Sequence, residues 1–144
     1  MTFILSIHPA AQLGAILLAF YAAYQGFQRT GSLHYNKQTQ FLRKRHAFTG
    51  FIGLSSMVGG TGAGVFMVER YLLNPDMGLH KAAAMVLLPF GLFGILSGLF
   101  LYLKPGPRKY LPAIHGINNV IVLFLALAQI VTGTMVYMRY VLRW

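Results

Sequence analysis

Four stretches of this chain, roughly residues 9–28, 47–68, 81–103 and 115–138, carry no Asp, Glu, Lys or Arg in their interiors. Each is near the 20 or so apolar residues that a helix needs to cross a bilayer. In lipid, every backbone N–H and C=O must be satisfied inside the segment, and a helix does this. The expected class is therefore all-α: a transmembrane up-down-up-down four-helix bundle, with residues 1–144 as a single domain because no connection is long enough to fold separately. Pro9 suits a first helical turn, so the first span is expected to begin directly after His8. Pro89 falls inside the third span and is expected to kink it near Met85. Pro105, Pro107 and Pro112 break the chain before the fourth. A secretory signal is a poorer reading of the first span, because Met1–Ile7 holds no basic side chain.

Charge narrows the class further. Charged residues make up 10% of the chain, against about 25% in soluble domains. Glu69 and Asp76 are the only acids, and the net charge is +10. Such a balance usually suggests nucleic acid, but here the basic residues collect in loops between apolar spans, which membrane topology explains better than a nucleic-acid groove does. Arg29, Lys37, Arg43, Lys44, Arg45, Lys104, Arg108 and Lys109 lie in two connections on one side. Arg70, Lys81, Arg139 and Arg143 lie on the other, with both acids. The positive-inside rule then puts the two basic loops in the cytoplasm and both termini outside.

Four histidines stand where the spans begin, and each is followed eighteen residues later by a glycine: His8 and Gly26, His46 and Gly64, His80 and Gly98, His115 and Gly133. Eighteen residues is about five helical turns, so each glycine shares its histidine's face roughly 27 Å further along. Membrane helices are rich in glycine, so the spacing alone decides little. The positions of the histidines carry more, because polar groups inside a membrane are costly and are kept for a function. In alternating helices, His8 and His80 meet near the outer face, and His46 and His115 near the cytoplasmic face. Two imidazoles from facing helices can supply both axial positions of a haem iron. Gly26 and Gly98 would lie at the depth of the inner pair, Gly64 and Gly133 at that of the outer pair, where a porphyrin edge needs close backbone approach. The run Gly59-Gly60-Thr61-Gly62-Ala63-Gly64 would widen that clearance.

The chain has no cysteine. Disulfides, thiolate iron–sulfur ligation and covalent haem attachment are thereby excluded, so the expected cofactors are two non-covalent b haems about 20–25 Å apart. Structural zinc wants four donors in one place, and the histidines divide two and two. Arg45, Lys81, Arg108 and Lys109 adjoin the histidines and could meet propionates; Thr49, Asn118 and Asn119 could orient a ring. His34, in a basic loop, is expected to be solvated. Tyr21, Tyr24, Phe51, Phe66, Phe90 and Phe93 read as lipid-facing or core.

The elements Leu5-Ser6-Ile7-His8-Pro9, Phe20 to Gly26, Arg45-His46 with Gly50, and His115 to Asn119 followed by Thr132-Gly133 resemble a four-helix membrane family of cyanobacteria and chloroplasts. The likeness spans about residues 5–138. That family is similar in turn to the core of the cytochrome b-561 group, dihaem transmembrane electron carriers. The resemblance implies His8, His46, His80 and His115 as ligands and a bacterial cytoplasmic or thylakoid membrane. The chain departs from the larger group in having four helices rather than six, and no ascorbate-binding motif is present. The function so implied is electron transfer between a redox protein, a quinone or a small-molecule reductant and an acceptor at the membrane. An alternative is a non-redox accessory subunit that binds pigment or stabilises a larger complex. A histidine-based transporter is disfavoured, since the span interiors offer only Gln12, Ser55, Ser56, Thr61 and Gln129 as a polar path.

Overall fold

The computed structural model describes residues 2–35, 38–72 and 75–143. Among these the chain forms four α-helices, α1 (Thr2–His34), α2 (Arg43–Tyr71), α3 (Gly78–Leu103) and α4 (Leu111–Tyr137), and α4 runs on into a π-helical turn over Met138–Leu142. All four are long and apolar enough to cross a membrane, as an integral membrane protein requires. Leu17, Phe66 and Phe124 point outward, each more than half exposed. Lipid matches such side chains as well as a core does, so burial is concentrated where the helices touch.

The helices outrun their apolar stretches, because the backbone ladder continues past the lipid boundary wherever no residue stops it. α1 shows this most. It starts at Thr2, so His8 lies well inside the helix and Pro9 is an interior proline, not a first-turn residue. Pro9 removes one backbone donor, a loss that membrane helices tolerate. α3 likewise runs unbroken through Pro89. His34 is the exposed last residue of α1, on the helix rather than in a loop. Lys37 lies outside the described residues.

Small side chains set the spacing of α1 and α2. A Cβ on Gly53 would stand 3.0 Å from the backbone nitrogen of Ala19 and 3.2 Å from the carbonyl oxygen of Ala15, and one on Gly50 would meet the Ala22 methyl at 3.6 Å. Ala15, Ala19, Ala22 and Gly26 thus form a stripe at spacings of three and four residues, against Gly50 and Gly53. Gly91 and Gly94 do the same on α3, where a Cβ would press on Val58 and Leu54 of α2. Ala15, Ile16, Ala19, Leu54, Met57, Leu87, Val122, Leu123 and Ala126 form the buried centre. Phe90 packs against it, while Tyr21, Tyr24, Phe51, Phe66 and Phe93 are exposed.

The ends are tied by polar contacts. Arg43 donates from α2 to the carbonyls of Leu101 and Tyr102 at the end of α3. At the other end the Tyr140 hydroxyl accepts from the Asp76 backbone N–H at 2.9 Å and donates to the Asp76 carbonyl at 3.2 Å.

Candidate paired-histidine centres

The start of each helix lies beside the end of a neighbour, and this brings the histidines together. His46, in the first turn of α2, and His115, in the second turn of α4, have ring centroids 6.3 Å apart with planes at 79°. Phe41 leans on His46 at 5.5 Å, and the Arg29 guanidinium lies 5.3 Å above Phe41. His8 of α1 and His80 of α3 lie within electrostatic range of each other. His34 joins neither group.

Three of the four rings have their Nδ1 engaged. His46 Nδ1 is 2.8 Å from the Ala22 carbonyl, which can only accept. His115 Nδ1 is 2.8 Å from Ser97 Oγ, whose own proton is committed to the Phe93 carbonyl at 2.6 Å. His80 Nδ1 is 3.2 Å from Thr132 Oγ1, which donates to the Ala128 carbonyl at 2.9 Å. In each case the hydroxyl or carbonyl accepts, so Nδ1 carries the proton and the Nε2 lone pair is left to bind something else. The Asn119 amide nitrogen lies 3.0 Å from His115 Nε2 and 3.3 Å from its Nδ1, beside the ring and off the Nε2 lone-pair axis. The His80 backbone carbonyl also takes a bond from Gln129 at 3.0 Å. The His8 ring has no hydrogen-bond partner among the described residues.

Each expected glycine faces a histidine at the expected depth. A Cβ on Gly26 would lie 3.4 Å from His46 Cε1, on Gly64 2.9 Å from His8 Cε1, on Gly98 3.0 Å from His115 Cε1 and on Gly133 3.0 Å from His80 Cε1. The group seated over each glycine is the neighbouring helix's imidazole, whereas a porphyrin edge was expected. Within the run from Gly59, Gly60 and Gly64 face α1, while a Cβ on Gly59 or Gly62 would meet nothing within 4 Å.

The ring geometry can be tested against a metal. A first-row metal–imidazole bond of about 2.0 Å, with about 1.1 Å more to the ring centre, taken twice in line, separates two axial imidazoles by about 6 Å. His46 and His115 stand at 6.3 Å. Among the described residues no three His, Cys, Asp or Glu side chains gather, so a tetrahedral zinc cage lacks donors and a two-imidazole site does not. A group held at His115 Nε2 would lie beside the Asn119 amide, which would turn aside where the two crowd. The Asn119 carbonyl oxygen is buried without a partner among the described residues, so turning breaks no bond there.

The other expected neighbours divide. Asn118 donates to the Phe90 carbonyl at 3.0 Å, and the Thr49 hydroxyl donates to the Arg45 carbonyl at 2.9 Å, with the His46 carbonyl and Gln25 side chain as competing acceptors; neither hydrogen-bonds a ring. Arg108 stacks 4.6 Å from Phe100 and Lys109 5.3 Å from Tyr110, while Arg45 and Lys81 are exposed. None of these four hydrogen-bonds a histidine ring among the described residues, whereas Arg29 stands over Phe41 beside His46. Ser97, Thr132 and the Ala22 carbonyl are the partners that spacing alone does not reveal. Ser97-Gly98 and Thr132-Gly133 nonetheless share one signal, a hydroxyl residue directly before a histidine-facing glycine.

Removing those acceptors tests their role without touching a ligand. Ser97→Ala should weaken any group held at His115 by about 10–100-fold, and Thr132→Ala one held at His80, the range found when a ligand's outer hydrogen bond is lost. The measurement is cofactor retention on dilution, read for each centre; equal loss at both centres from one variant would contradict the assignment. No family model, curated protein or solved structure matches the chain, and its paired histidines with their partners are what speak for its function.

Proposed function

We propose that the chain is an electron carrier of the membrane holding two non-covalent b-type haems, one between His46 and His115, the other between His8 and His80. The observation that carries this reading is the inner pair: two rings from different helices with centroids 6.3 Å apart, each with its Nδ1 engaged by a neighbouring oxygen. A haem bound there supplies one-electron oxidation and reduction at an iron closed to oxygen by two imidazoles.

The chain's own residues supply the rest. Ala22, Ser97 and Thr132 hold His46, His115 and His80 in the Nδ1–H tautomer and fix the ring planes. The four glycines let each ring approach the neighbouring backbone. The apolar centre around Val122 and Ala126 separates the two levels and excludes water. Because the described residues form no domain outside the bundle, electrons arrive from and leave to a quinone, a small-molecule reductant or another protein, including the partners of a larger membrane complex.

Purified protein should give a reduced-minus-oxidised spectrum of low-spin b haem, with two haems per chain by pyridine haemochrome. Acid–acetone should extract all the colour, since no cysteine anchors it. Colourless protein, or haem that stays with the polypeptide, would overturn the proposal and leave the accessory-subunit reading.

The membrane is a bacterial cytoplasmic or thylakoid one in this reading, with the His46/His115 level at the basic, cytoplasmic side. A cysteine at Ser32 should then resist an impermeant thiol reagent added outside intact cells, and one at the exposed Leu79 should react. The reverse pattern would invert the orientation.

A further inference from the structure

Where α1 and α2 separate near His8, a cleft of about 360 Å³ opens. It lies outside the space between His8 and His80, because Ile7, Ala11, Ser56, Gly59 and Ala63 on its rim are exposed on the bundle's outer surface. That surface faces lipid, so a ligand enters sideways from the bilayer and must be apolar. The volume lies within the roughly 300–1,000 Å³ of small-molecule sites.

Its walls are apolar, with three polar groups among them. The His8 ring lines it, along with Gln12 and Ser56. Gln12 spends its amide nitrogen on the Ser56 backbone carbonyl at 3.2 Å. The carboxamide lies across Gly60, where a Cβ would collide with it. The Gln12 oxygen, the Ser56 hydroxyl and the His8 ring have no hydrogen-bond partner among the described residues. An acyl chain filling the cleft would leave all three unpaired, at a cost for each. A flat ring with an oxygen at either end would not.

We propose that this cleft binds the head group of a lipid-soluble quinone or its quinol. The ring slides over Gly59, where no side chain obstructs it, beside the Gln12 carboxamide that covers Gly60. One oxygen accepts from the His8 ring, giving His8 the acceptor that Ala22, Ser97 and Thr132 give the other three histidines. The Ser56 hydroxyl donates to a quinone or accepts from a quinol, and the Gln12 oxygen accepts only from the quinol. The redox use of the site rests on the two-haem reading; the binding itself does not.

The test uses the whole chain in neutral phosphatidylcholine nanodiscs, a photoreactive azidoquinone as probe and decylubiquinone as competitor. Labelling should map to residues 7–12 and 56–63 and fall when decylubiquinone is added. Gly59→Leu places its side chain in the cleft where nothing lies within 4 Å of the new Cβ, so the fold is undisturbed. It should cut competable labelling by roughly tenfold or more, as overpacking of a filled site does. Gly62→Leu, equally unobstructed but absent from the cleft's lining, should leave labelling unchanged. Labelling that decylubiquinone does not compete, or that Gly59→Leu does not reduce, would overturn the proposal and assign the cleft to acyl chains. Haem content is read on the same samples. Colourless protein with competable labelling sinks the electron-carrier reading alone; coloured protein without it sinks the quinone site alone.

Discussion

Replacing His115 with alanine is expected to abolish one of two redox transitions and leave the other in place. His46→Ala should abolish the same one, and the double variant should lose nothing more, because in the two-haem reading both rings serve one iron. Occupancy of that centre should drop below about a tenth of the unmodified protein's, since a single imidazole leaves an axial position unfilled. His8→Ala and His80→Ala should remove the other transition. His34→Ala should spare both, as its ring stands exposed at the end of α1. A redox titration of each variant decides the matter. Loss of one and the same transition in His8→Ala and His46→Ala would disprove the pairing.

Gly64→Leu is expected to disturb the centre of His8 and spare that of His46, although Gly64 and His46 share α2. The reason is contact, not chain position: a Cβ at Gly64 would stand 2.9 Å from His8 Cε1. A leucine forced into that gap costs about 1–3 kcal/mol, more if the ring has nowhere to go. The alanine series should grade with clearance. Gly98→Ala and Gly133→Ala, at 3.0 Å from His115 and His80, should shift their centres measurably, and Gly26→Ala, at 3.4 Å from His46, least. Midpoint and occupancy of each centre, followed separately, give the readout. If Gly64→Leu displaced the inner centre or neither, the glycines would be ordinary packing residues.

Much of this arrangement can be read from the chain before it folds. Charge-free runs of bilayer length place four helices, and five whole turns place each glycine at the depth of a neighbour's histidine. Helix ends are read less well. Apolar length marks where lipid stops, and the backbone ladder of α1 continues beyond it to Thr2 and His34. Pro9 misleads for the same reason, since its preference for a first turn yields to the residues before it. Ser97 and Thr132 are hidden because hydroxyls in membrane helices ordinarily bond their own preceding turn. Both do so here, to Phe93 and Ala128, and their spare lone pairs find a ring only once α3 and α4 have packed. What sits over each glycine is equally beyond spacing: periodicity reports a gap, and only packing says that an imidazole occupies it.

The inner ring pair joins α2 to α4, and the outer one α1 to α3, so each draws one member from the first two helices and one from the last two. During translation, α1 and α2 enter the membrane carrying half of both sites and all of neither. The outer pair has both rings once α3 has been inserted, and the inner pair only once α4 has. A group held at each pair would bridge the two hairpins at both ends, like a pair of rivets. In the two-haem reading, the inner site would thus be loaded last, and a chain truncated before His115 would keep the outer pair of rings and lose the inner one.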